Sequence, residues 1–131
     1  MFNFFSKYKI IFYLCNFILI LLYLFPGSLI GCYLYDDCKL QPQITRDYII
    51  SSNHFYAFGV LSIIGFLTFK NSKKLKYLSL YLIVISILLE LFHNFIPDRS
   101  FEYSDLFGNL AGVIIVIIVF NVFEKYENAK N

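Results

Sequence analysis

The chain has 131 residues, of which 59% are hydrophobic, 21% aromatic and only 15% charged, with a mean hydropathy of +0.66. A soluble domain is nearer 45–50% apolar and about 25% charged, so it could not hide the 16 Phe and 11 Tyr present here. The net charge of +2 implies no polyanionic partner, and soluble enzyme, nucleic-acid binder and disordered chain are all excluded as readings.

A bilayer span takes roughly 20 apolar residues, and four such runs follow one another along the chain. The first covers residues 10–30 and contains Pro26-Gly27 near its end. The second covers 48–69, with Ser51-Ser52-Asn53 as a candidate N-cap cluster. The third covers 77–96, stopped by Pro97, and the fourth covers 105–123. The runs are continuous rather than alternating, which excludes transmembrane β-strands. The predicted fold is an all-α membrane protein, a four-transmembrane-helix bundle making a single domain over residues 1–131.

Basic residues set the orientation. Lys7, Lys9, Lys70, Lys73, Lys74, Lys76, Lys125 and Lys130 fall on one side, while Lys39, Arg46 and Arg99 fall on the other. Both termini are therefore expected in the cytoplasm, with loops 31–47 and 97–104 outside. The stretch Leu29-Ile30-Gly31-Cys32 also reads as a lipoprotein-type cleavage and acylation site, but the apolar region before it is long for a signal peptide. An uncleaved first span is the expectation. Cys15 lies mid-span as an apolar filler. Cys32 and Cys38 share the outer loop, where a local disulfide is permitted.

Ionisable groups in a membrane segment cost about 2.5–3.5 kcal/mol at a helix centre on insertion scales. Segment three nonetheless carries Glu90 and His93, spaced i, i+3 on one face. Segment four opens with Asp105, Asn109 and Gly112 on another stripe, and His54 begins the apolar core of segment two. Three helices thus aim polar groups at the outer level of the membrane. Glu90 and His93 are the candidate catalytic acid–base pair. His54, Glu90, His93, Arg99, Asp105 and Asn109 are the candidate binding residues, with Arg99 a natural partner for Glu90, Asp105 or an external anion. The bland alternative is that these groups only fix helix packing: Asp105 could cap its helix, and Gly108 and Gly112 belong to a small-xxx-small pattern that permits close helix approach. Two imidazoles and two carboxylates would make an acceptable zinc set, but no local metal spacing is present, so neither a metal nor another cofactor is expected.

The stretch from Glu90 to Gly112 reads E-x-x-H, then P-D-R-S-F, then D-L-F-G-N-L-A-G. Together with His54-Phe55-Tyr56-Ala57-Phe58 it resembles the hallmark of the VanZ-like family. Ile50 and Ser51 stand where that family often has Asp-Lys, and His93 stands where it has Gln. The resemblance implies a four-helix protein of the bacterial cytoplasmic membrane, connected with teicoplanin susceptibility. The expected function is an envelope protein whose outer pocket binds a lipid headgroup, a cell-wall precursor or a partner. A membrane-embedded enzyme acting on a lipid or prenyl-linked substrate is the alternative.

Overall fold

The computed structural model describes residues 2–70 and 72–131, with side chains from residue 4 onward. Among the described residues it is all-helical: α1 (Phe2–Lys7), α2 (Lys9–Leu24), α3 (Leu29–Tyr35), α4 (Ser52–Phe69), α5 (Leu75–Phe92), a 3-10 turn (His93–Phe95) and α6 (Tyr103–Lys130).

Three helices are long and apolar enough to cross a membrane, and α2 with α3 would make a fourth span if that bent pair counts as one. The continuous first span expected over 10–30 is therefore corrected to two helices at 82° to each other. Pro26 is the physical reason. It pushes Phe25 out of helical geometry, to φ −70°, ψ 131°. Gly27 then takes φ +83°, and Ser28 starts α3 by accepting the Gly31 N–H on its hydroxyl at 3.0 Å.

The other boundaries also move. α4 begins at Ser52 rather than 48, and the hydroxyl of its N-cap, Ser51, makes no capping bond. A carboxylate from the preceding loop substitutes: Asp47 accepts the Ser52 N–H at 2.8 Å. α5 gives way to the 3-10 turn, which brings Ile96 into the extended backbone that Pro97 demands. α6 runs seven residues past the expected end at 123, to Lys130. The Glu, Lys and Ala of this tail are good helix formers, and Glu127 is held by the Lys70 ammonium at 2.9 Å.

α4 is the central helix and pairs most extensively with α6. Gly112 explains the closeness: a Cβ there would meet Phe55 O at 2.5 Å and Gly59 N at 2.8 Å. Gly108 sits the same way, 2.7 Å from Ser51 O by the same construction. The interior between these helices and α5 is filled by Phe58, Leu61, Phe66, Leu82 and Val113, while Phe12, Leu19 and Tyr23 pack in from α2. Outward faces remain apolar: Leu80 and Val119 are 61% and 62% exposed. Such surface on every long helix belongs against hydrocarbon rather than water.

Candidate functional site

Four chain segments meet at one end of the bundle: the end of α2, the start of α4, the end of α5 and the start of α6. This is where every polar residue singled out from the sequence arrives. Asn109 lies at its centre, fully buried. Its amide nitrogen donates to the Ser86 carbonyl of α5 at 3.0 Å, which turns its oxygen the other way. That oxygen accepts the Tyr23 hydroxyl at 2.6 Å and lies 3.0 Å from His54 Nδ1. An amide oxygen only accepts, so Nδ1 of His54 carries the hydrogen. In neutral His54 the lone pair then sits on Nε2, which faces Asp105 Oδ2 at 3.5 Å.

Glu90 is completely buried behind this group. Its Oε1 accepts the backbone N–H of Glu102, the residue capping α6, at 3.1 Å and lies 3.3 Å from His93 Nδ1. Its Oε2 lies 3.7 Å from His54 Nδ1 and has no hydrogen-bond partner. One carboxylate oxygen thus fixes the entry to α6, and the other is left aimed at His54.

His93 and Arg99 do something the sequence did not suggest. A helix that stops at Leu24 leaves its last carbonyls without intrahelical partners. His93 Nε2 meets Tyr23 O at 3.1 Å, Arg99 Nη2 donates to Leu22 O at 3.0 Å, and Arg99 Nε donates to Phe25 O at 3.2 Å. Both side chains hold the broken end of α2. The sequence offered Glu90, Asp105 or an external anion as partners of Arg99; its guanidinium bonds among the described residues run instead to the Leu22 and Phe25 carbonyls. Burial lowers its pKa from the ordinary value, an effect that neighbouring Tyr23, Asp105 and Glu90 oppose.

Two concavities open beside the cluster. A polar cavity of about 520 Å³ is bordered by His54, His93, Arg99, Glu102, Asp105 and Lys39, among others. An apolar groove of about 440 Å³ runs between α2 and α4 past Ile18, Leu22, Ala57 and Val60. Ser28, Gln41, Asn53, His54 and Arg99 border both. The loop before α4 forms part of the rim. A Cys32–Cys38 disulfide staples it, and Asn53 holds it by donating to Pro42 O at 2.6 Å and accepting the Ile44 N–H at 3.0 Å.

Chemically, His54 and Asp105 are the titratable pair presented to the polar cavity. Glu90 and His93 lie deeper, and both ring nitrogens of His93 are already in contact with protein oxygens. Tyr23 is the residue that sequence reasoning missed. It touches His54 and Asn109 through its hydroxyl, and its ring stacks on His93 at 5.6 Å. A hydroxylated aromatic in the last turn of an aliphatic segment, just before Pro26, was the available signal.

Fold and site together define an all-helical protein with three or four apolar helices of membrane-crossing length and a buried polar cluster at one end. No family model, no curated protein and no solved structure matches the chain.

Proposed function

We propose that this chain is a VanZ-like, multi-pass protein of the bacterial cytoplasmic membrane that binds a membrane lipid, with the hydrocarbon chain in the groove and the headgroup in the polar cavity. In this reading α2 with α3 serves as the first of four spans, both termini are cytoplasmic, and the cluster lies at the outer leaflet. The observation that carries it is the shared border of the two concavities. A purely polar ligand would leave the groove unused, and a hydrocarbon would leave the cavity unused. An amphiphile such as a lipid-linked cell-wall precursor uses both, and through it the protein would affect teicoplanin susceptibility. The polar cavity is lined by both signs, Lys39 and Arg99 beside Asp47, Asp98, Glu102 and Asp105. This suits a headgroup with donors and acceptors rather than a simple anion.

The test is lipid analysis of the purified full chain by native mass spectrometry. One lipid per chain is expected, and it should be lost in Val60→Trp, which fills the groove from a position 56% exposed. A chain that carries no lipid, or a Val60→Trp protein that carries as much as the unaltered chain, would overturn the proposal.

A further inference from the structure

The sequence holds no local metal motif, yet tertiary packing collects a ligand set. One nitrogen of His54 and one oxygen each of Glu90 and Asp105 lie within 4.8 Å of one another. They come from three different helices, which is why spacing along the chain gave no sign of them.

Proximity alone would not make this a site; the hydrogen bonds around it do. The Ser86 carbonyl orients Asn109, Asn109 fixes the hydrogen on His54 Nδ1, and the His54 lone pair is thereby turned toward Asp105. A metal-binding histidine is commonly fixed this way, by a second acceptor on its other ring nitrogen. The 3.5 Å between His54 Nε2 and Asp105 Oδ2 is long for a hydrogen bond. It equals the separation of two ligands about 2.1 Å from a shared tetrahedral ion. Glu90 Oε2 supplies the independent sign: it is wholly buried, stands 3.7 Å from the Nδ1 edge of the His54 ring, too far to accept that N–H, and has no hydrogen-bond donor, while the ligand atoms of all three residues stay within 4.8 Å of one another. A buried carboxylate oxygen without a donor is costly. Arg99 does not relieve it: its bonds through Nε and Nη2 run to the Phe25 and Leu22 carbonyls, and Glu90 Oε2 receives none.

We propose that His54, Glu90 and Asp105 hold one divalent transition-metal ion of the zinc class. One imidazole with two carboxylates is a hard-to-borderline ligand set, suited to zinc or manganese rather than to a thiophilic ion. Asn109 and Tyr23 act as positioning residues that set the imidazole. Because His54 and Asp105 border the polar cavity while Glu90 lies behind them, the remaining coordination position faces that cavity. The proposal stands on the cluster alone and does not depend on the lipid reading.

The experiment uses the full chain, purified through a tag without histidine, stripped with a chelator and titrated with Zn²⁺ against a competing indicator. One Zn²⁺ per chain is expected. Glu90→Gln and Asp105→Asn should each weaken binding by at least about tenfold, since even supporting residues of metal sites cost about 10–100-fold when changed. Zn²⁺ should also raise the melting temperature of the unaltered chain, through mass action, but not that of Glu90→Gln. X-ray absorption of the zinc-loaded unaltered chain should report one imidazole among oxygen ligands, a readout that needs no variant to fold. Absence of stoichiometric binding, thiolate in the absorption spectrum, or affinity in either variant equal to that of the unaltered chain would overturn the site.

Discussion

Asn109 is the residue on which the cluster depends, because it serves three partners from three other segments: Ser86 O, Tyr23 Oη and His54 Nδ1. Asn109→Leu keeps the branched shape and number of side-chain heavy atoms but removes the partner all three share, leaving Tyr23 Oη and His54 Nδ1 only each other at 3.1 Å. A buried polar group left unpaired costs about 1–3 kcal/mol, so this variant should be severely destabilised in detergent melting. Tyr23→Phe removes one hydroxyl and strands nothing that lacks a second partner, since Asn109 Oδ1 and His54 Nδ1 still face each other at 3.0 Å. Its cost should be nearer 1 kcal/mol. Equal melting shifts for the two would mean that Asn109 is packing volume rather than the organiser of the cluster. At this scale the residue types were legible from sequence: costly groups in apolar runs. Their partners were not. Glu90 meets the α6 cap, and Arg99 meets carbonyls exposed by a helix break, neither of which has a pattern in the sequence.

Between elements, the α4–α6 contact makes an asymmetric prediction. A Cβ on Gly112 would meet α4 backbone at 2.5 Å, whereas one on Gly59 would find its nearest neighbour at 4.0 Å. Gly112→Ala should therefore push the helices apart at an overpacking cost of about 1–3 kcal/mol. Gly59→Ala should melt at or above the temperature of the unaltered chain, helped by alanine's higher helix propensity. Similar losses in both would contradict this packing. The second element-scale test concerns the stapled loop. Closing so short a loop stabilises by about 2 kcal/mol on chain-entropy grounds, so Cys32→Ser with Cys38→Ser should lower the melting point modestly. Proteolysis between residues 39 and 51 should be faster in that double variant, because the rim then rests on hydrogen bonds without a covalent tie, such as those of Asn53, Asp47 and Ser52. An unchanged cleavage rate would show the staple to be dispensable for the rim.

For the whole molecule, eight Lys on one side against three Lys and Arg on the other predict the sidedness. Reporter fusions after Lys74 should read cytoplasmic and after Ser100 external; the reverse pair would place the cluster at the inner leaflet. Apolar runs far longer than any soluble core needs were enough, from sequence alone, to determine an all-helical chain whose helices are long and apolar enough to cross a membrane. The reason is that helical backbone satisfies itself locally wherever water is absent. The i, i+3 and i, i+4 spacings likewise determined which polar groups share a helix face. Only the tertiary structure decided that the first run breaks at Phe25–Ser28, that His93 and Arg99 hold the broken end, and that His54, Glu90 and Asp105 converge on one point. Those outcomes depend on which helix lies beside which, and the contact between residues 54 and 105 is set by close packing at Gly108 and Gly112 rather than by any local preference of the chain.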